Sequence, residues 1–291
     1  MAAIVIDGKA IAAKFIEETR EQAERLKGRG INPCLAVVLV GDNPASLSYV
    51  KGKQKALSAA GMAGRDIRLP EATPEAELLS IIASLNADGN VHGILVQRPL
   101  PAHIREEAVI TAVDPRKDVD CFHPLSLGNV ILGRHGFQPC TPHGIVVLLR
   151  ELNIPVSGSH VVIVGRSNIV GKPLAMLLGL RDQNATVTLC HTGTRDLASH
   201  TRRADILIAA AGRPGLIKGD MIKKGAAVID VGVSRVLDSS AKKGYRLRGD
   251  VDFDGVLLKA GWITPVPGGV GPMTIAMLMR NVAEAAEYSE E

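Results

Sequence analysis

The sequence predicts an α/β protein with parallel strands, organised as two domains. Three observations carry this. The chain has 291 residues, and a domain holds roughly 150. Short runs rich in Val and Ile recur along it: Leu35 to Val40, Gly93 to Val96, Val161 to Val164, Thr186 to Leu189, Ile206 to Ala210 and Ala227 to Val231. Such continuous apolar runs suit strands buried on both faces. Helical patterns separate them, at Lys9 to Lys27, Ser46 to Ala60, Pro74 to Leu85 and Lys172 to Leu180. This alternation gives sheets with helices on their faces.

The elements follow in order. Asp42-Asn43-Pro44 makes a turn, and Ser46 helps to start the helix that carries Tyr49 and Lys53. Those two lie four residues apart, on one helical face. The strand ending at Val96 delivers Gln97 at its carboxyl end, before Arg98-Pro99-Leu100-Pro101. Open α/β sheets place ligand groups at such strand ends. Pro115 to Asp120 is a polar loop with two carboxylates, Asp118 and Asp120. Thr141-Pro142 opens a helix with a capping hydroxyl and a proline at its first position. That helix runs to Asn153, and Pro155-Val156-Ser157-Gly158 separates it from a strand starting at His160. A domain boundary therefore falls near residues 140–160. The loop Pro265 to Pro272 marks a second, and a last helix runs from Met273 to about Glu287. The bare sequence leaves open which domain that helix packs on.

Composition narrows the function. Hydrophobic residues are 46% and charged residues 22%, ordinary globular values that argue against disorder. The longest apolar runs are about six residues, whereas a membrane span needs about twenty. The first fifteen residues lack the basic start and apolar core of a signal peptide, so the expectation is a soluble, cytoplasmic protein. Cys34, Cys121, Cys140 and Cys190 stand far apart with no CxxC, which fits reduced thiols rather than a zinc knuckle. No HExxH appears among the eight histidines, so no metal is expected. Net charge is +4 but the bases are dispersed, and only eight residues are Phe, Tyr or Trp. Single-strand nucleic-acid binders stack bases on aromatic platforms. A small anionic substrate or cofactor suits this charge better.

The segment from His160 to Leu180 reads as strand, glycine turn and helix. Gly165 ends the strand, and Gly171 and Pro173 open the helix. Backbone N–H groups at a helix start can bind a phosphate. The spacing G-R-S-N-I-V-G departs from GxGxxG, with Ser167 at the middle glycine. The next strand ends Cys190-His191-Thr192, with no acid to bind a ribose 2′-hydroxyl. Arg166, directly after the first strand, then favours a 2′-phosphate and hence NADP. Ala209–Gly212 or Val233 could reach the nicotinamide end.

Together the segments YVKGKQKA, GILVQRPLP, KDVDCFHP, PCTPHG, VGRSNIVGKP, ATVTLCHTGT, GDVDF and TPVPGGVGPMT resemble the bifunctional methylenetetrahydrofolate dehydrogenase/methenyltetrahydrofolate cyclohydrolase family. The resemblance runs from Ile6 to the terminal helix. It implies a folate-binding catalytic domain over residues 1–145, with 273–291 packing back on it. Residues 146–272 would be an NADP-binding Rossmann-like domain. It also implies a homodimer, no metal, and tetrahydrofolate one-carbon derivatives as substrates. Lys53 looks like the family's catalytic lysine, Tyr49 like the tyrosine that stacks on the pterin, and Gln97 like the glutamine bonded to the lysine. Asp120 looks like the carboxylate that anchors the pterin. Gly165, Arg166, Ser167, Thr192 and Val233 match cofactor-contacting positions.

Two positions depart from the family's pattern. Arg98 stands in VQRPLP where VQLPLP is common. Cys121 stands in DVDCFHP where glycine is common, a residue free to take positive φ. The implied chemistry is NADP⁺-dependent oxidation of 5,10-methylenetetrahydrofolate to the methenyl cation, then hydrolysis to 10-formyltetrahydrofolate. Other readings are a monofunctional NAD(P) dehydrogenase of this fold, or a silent nucleotide-sensing Rossmann protein. Tyr49, Lys53, Gln97 and Asp120 standing together argue against the silent protein.

Overall fold

Cys34–Val40 is buried at all of its positions, as a strand with packing on both faces must be. It is the middle of a small sheet in a computed structural model that describes residues 2–241 and 244–289. Met1, Glu290 and Glu291, which fall within the expected domain ranges, lie outside the described residues. In chain order the first elements are β1 (Ile4–Val5), α1 (Gly8–Gly28), β2 (Cys34–Val40), α2 (Pro44–Ala59), β3 (Ala63–Leu69), α3 (Glu75–Ala87), β4 (Gly93–Val96), α4 (Glu106–Ala112), α5 (Pro124–Ile131) and α6 (Cys140–Glu151). There follow β5 (His160–Val164), α7 (Gly171–Gly179), β6 (Thr186–Cys190), α8 (Leu197–Thr201), β7 (Ile206–Ala209), β8 (Ala227–Asp230), β9 (Ser234–Leu237), β10 (Tyr245–Arg248), α9 (Phe253–Leu257), β11 (Trp262–Ile263) and α10 (Val270–Tyr288).

The chain divides into two units. One comprises residues 13–140 and 275–291. Its sheet has the order β3-β2-β4, with both pairs parallel. Leu78, Ile82 and Leu85 of α3 pack against Ala36, Val38 and Val40 of β2. The register Val38↔Val96 puts the carboxyl ends of β2 and β4 side by side, with Gln97 just beyond. The strand β3 escapes an apolar-run search because it is an edge strand, and its Arg65, Asp66 and Arg68 leave no such run.

The other unit comprises residues 1–12 and 141–274. Its six strands run β1-β11-β8-β7-β5-β6, all neighbours parallel. From β5 the chain builds outward to β6, then returns to the far side of β5 for β7. That reversal is the switch point where open α/β sheets bind nucleotides. An antiparallel hairpin, β9 with β10, lies outside this sheet.

Two expectations need correction. Residues 1–145 are not one unit, because β1 pairs with β11, Ile4 opposite Trp262 and Val5 opposite Ile263. Two-residue strands carry no readable periodicity, so the sequence did not reveal this pairing. Thr141 is not a cap: α6 already begins at Cys140, and the Thr141 hydroxyl lies 2.9 Å from the Thr274 hydroxyl. Helix α1, by contrast, carries a side-chain cap. The Asp7 carboxylate accepts from the backbone N–H groups of Lys9 and Ala10, both at 3.1 Å, the usual use of Asp at a helix start.

Candidate active site

In the smaller sheet's unit, α2 and the end of β4 bring the candidate catalytic groups together. The Lys53 ammonium donates to Gln97 Oε1 at 3.0 Å. The Gln97 amide nitrogen donates to the Arg98 carbonyl at 2.8 Å, so both ends of that amide are held and its orientation is fixed. The Ser46 hydroxyl reaches the same carbonyl at 3.4 Å. Ser46 therefore ties α2 to the strand end, while the Asn43 side chain accepts from the Ser46 N–H at 3.4 Å. Tyr49, one turn before Lys53, is half exposed.

Burial holds the Lys53 ammonium below its ordinary pKa, because removal from water penalises the charged form. Asp120 and Cys140 oppose that shift, and the Arg98 guanidinium adds to it. Arg98 is itself fixed from two sides. It pairs with Glu106 at 2.6 Å and lies 4.2 Å from the centre of the Phe122 ring, within cation–π range.

The acidic loop separates its two carboxylates by role. Asp118 is buried and accepts from the N–H groups of Phe122 and His123, at 3.2 and 2.8 Å. It closes the turn, and burial raises its pKa. Asp120 is only partly buried, and the Cys140 thiol is close enough to interact with it. Cys121 has φ 59°, the left-handed conformation that a glycine would take without strain. Its thiol is buried and donates to the Phe137 carbonyl at 3.1 Å. Burial pushes its pKa far up, so it is a packed thiol rather than a nucleophile.

In the unit of the larger sheet, Arg166, Ser167 and Thr192 are exposed. The register Val164↔Cys190 places Arg166 and Thr192 each two residues past paired strand ends. A cation and a hydroxyl there, with no carboxylate closing β6, fit a 2′-phosphate. The glycine turn works differently from expectation. A Cβ on Gly171 would sit 2.0 Å from the Gly165 carbonyl oxygen, and one on Gly165 would sit 2.0 Å from that of Ala210. Both glycines serve close backbone packing at the switch point. The first N–H groups of α7 are also engaged internally: Val170 and Gly171 donate to Ser167 Oγ at 3.2 and 3.4 Å. Lys172 donates to the Ser167 carbonyl at 3.1 Å. Ser167 accepts twice and keeps its own hydroxyl proton to donate.

Two buried aspartates, which the sequence did not single out, shape the neighbouring loops. Asp250 accepts from the N–H groups of Ala211 and Gly212 at 2.6 and 2.8 Å. Asp230 accepts from Gly232, Asp250 and Val251 at 2.9–3.0 Å. Burial pushes the Asp230 carboxyl up to about 6. These bonds set the two segments, Ala209–Gly212 and the one ending at half-exposed Val233, that the sequence nominates for the nicotinamide. No group of His, Cys, Asp and Glu among the described residues could hold a metal, and no helix among them is long and apolar enough to cross a membrane.

Two family models match the chain. The tetrahydrofolate dehydrogenase/cyclohydrolase catalytic domain covers residues 6–120, and the NAD(P)-binding domain of the same family covers residues 139–290. Among curated relatives, the bifunctional protein FolD of Moorella thermoacetica is 57% identical, over 98% of this chain and 99% of its own. That of Bacillus subtilis is 53% identical, over 99% of both. Among solved structures, the Trypanosoma brucei methylenetetrahydrofolate dehydrogenase-cyclohydrolase, complexed with NADP cofactor and inhibitor, is 40% identical. It superposes with a TM-score of 0.96, covering 100% of this chain and 99% of that one.

Proposed function

Because the chain belongs to the tetrahydrofolate dehydrogenase/cyclohydrolase family, we propose that its two activities share one folate site built around Lys53, Gln97 and Asp120. The chain is a bifunctional enzyme. It oxidises 5,10-methylenetetrahydrofolate to the methenyl cation and hydrolyses that to 10-formyltetrahydrofolate, with NADP as cofactor. The observation that carries the site is the partly buried Lys53 ammonium held on Gln97 at 3.0 Å, with its pKa lowered.

When bound, NADP⁺ accepts the hydride from the one-carbon bridge. The chain's own groups do the rest. Tyr49, exposed on the same face of α2, stacks on the pterin. Asp120 accepts hydrogen bonds from the pterin's amino and N–H groups, as charge-assisted contacts. Hydration of the methenyl cation must shed a proton, and Lys53 takes it as general base. A free lysine, with pKa about 10.4, is a poor base at neutral pH; burial corrects that in part, and the cationic substrate adds to the effect. Gln97 holds Lys53 in place. Arg166, Ser167 and Thr192 hold the 2′-phosphate, and Gly165 and Val233 line the rest of the cofactor's path. The reading extends to a homodimer, supported by family resemblance, and to the cytoplasm, supported by four free buried cysteines of the kind reducing compartments keep.

Asp120→Ala tests the shared site. Losing the charge-assisted contacts should raise KM for folate about tenfold in both reactions, since 1.4 kcal/mol is tenfold, while NADP binding stays unchanged. A drop in NADP binding with folate binding intact would overturn the assignment.

Arg98 gives a finer test. Its guanidinium disfavours a second cation nearby and so lowers the pKa of Lys53. In Arg98→Leu the protonated lysine gains relative stability. The rising limb of the cyclohydrolase pH profile should therefore move to higher pH. An unmoved limb would show that Arg98 does not tune this base.

A further inference from the structure

Helix α10 carries one polar residue into the core beside the candidate folate site. Asn281 is 1% exposed. Its amide nitrogen donates to the Val119 carbonyl at 2.7 Å and to the Gln138 carbonyl at 3.0 Å. An amide NH₂ has two hydrogens, so these two bonds use it fully. The Cys140 sulfur lies 3.6 Å from the same nitrogen and donates in turn to the Val119 carbonyl at 3.3 Å. That carbonyl thus fills both of its lone pairs, one from Asn281 and one from Cys140.

Val119 directly precedes Asp120, and Cys140 interacts with Asp120 from the side. On the other flank, the Asp118 carboxylate holds the Phe122 and His123 N–H groups. Asp120 stands between two anchors, and only the Asn281 anchor comes from outside its own loop and that of Cys140. Ordinary core packing does not need an amide here. An apolar residue would fill the space but take the amide donor from the part-buried Gln138 carbonyl and leave the buried Val119 carbonyl with the weak Cys140 thiol alone, a loss for groups turned away from water.

We propose that Asn281 is a positioning residue of the folate site, holding the Val119–Cys140 junction so that Asp120 presents its carboxylate to the pterin. This rests on the reading of Asp120 as the pterin-anchoring carboxylate. Asn281 touches no substrate; it acts through the carbonyl one residue upstream and through the thiol beside Asp120.

The test is a double-mutant cycle on the full chain, with KM for the folate, kcat and NADPH dissociation read for each protein. Asn281→Asp keeps the shape, loses both N–H donors and sets an oxygen against two carbonyls. Asn281→Ser is the milder partner should the first fold poorly. Either variant should raise the folate KM by about three- to tenfold in both reactions, with kcat and NADPH binding nearly unchanged. In the Asp120→Asn background the same change should add little further loss, because residues acting as a unit are non-additive. Full multiplication of the two losses, or an equal fall in NADPH binding, would overturn the proposal and leave Asn281 a general packing residue. If Asp120→Asn alone leaves folate binding intact, the reading of Asp120 fails first, and an Asn281 effect on KM must then run through another group.

Discussion

Lys53→Gln is expected to separate the two activities. Glutamine keeps a polar side chain near Gln97 but takes no proton at neutral pH. Hydration of the methenyl cation loses its general base and should slow by about 10²–10⁴-fold, the usual loss for such a group. Hydride transfer moves no proton to the enzyme in its chemical step, so NADPH formation should fall much less, through altered positioning alone. The pH profile provides an independent reading. In the unmutated enzyme, cyclohydrolase activity should rise as Lys53 loses its proton, below the pH of an ordinary lysine because burial lowers its pKa. That limb should vanish in Lys53→Gln. Gln97→Ala should give a weaker version, since the lysine remains but loses its 3.0 Å partner. Parallel loss of both activities in Lys53→Gln would mean that the lysine places folate and is not the base. Separate assays of methenyl hydrolysis and NADPH formation decide this.

The second large effect concerns the cofactor. Arg166→Ala removes the exposed cation that follows β5. A charge-assisted hydrogen bond contributes about 1.5–3 kcal/mol, so NADP affinity should fall roughly ten- to a hundredfold. NAD use should change little, because NAD carries no 2′-phosphate. Ser167→Ala should be mixed in effect, since its oxygen also caps α7. Titration of NADP and NAD against both proteins checks the pair. Equal use of the two cofactors by the unmutated enzyme would contradict the role given to Arg166.

Lys53, Gln97 and Asp120 can be nominated from the sequence because each sits where a local rule points, and the family resemblance implies their roles. Lys53 shares a helical face with Tyr49, Gln97 terminates a strand, and Asp120 lies in a polar loop. Cys121 was legible as a glycine replacement, and its φ of 59° shows that the cysteine adopts the left-handed backbone a glycine would take there. The contacts that fix these groups were not legible. Asn281 meets Val119 across 162 positions of sequence, and no periodicity encodes such a pairing. Asp118 and Asp120 look alike in sequence, yet one closes a turn and the other stays partly open beside Cys140 and Lys53; only their burial and their partners distinguish them. The glycine turn shows the same limit. The strand, glycine turn and helix start suggest a phosphate site, whereas the space beside Gly165 and Gly171 is taken by backbone carbonyls. Strand β1 was invisible because two residues make no pattern.

The exchange of end segments between the units has a consequence for synthesis. Residues 13–140 leave the ribosome long before Ile275 and the rest of α10 that complete their unit. At about 5–20 residues per second, the wait is on the order of ten seconds. During it the Val119 and Gln138 carbonyls have no Asn281 to meet them, and the side chains of Met277 and Leu278, buried in the finished fold, are not yet present. The early segment, Ile4 and Val5, likewise waits for Trp262 and Ile263. Neither half can therefore reach its final state as a nascent chain; both must close late, over long loops, which is slow. This enzyme should depend on holding chaperones during translation more than a chain whose domains are each contiguous.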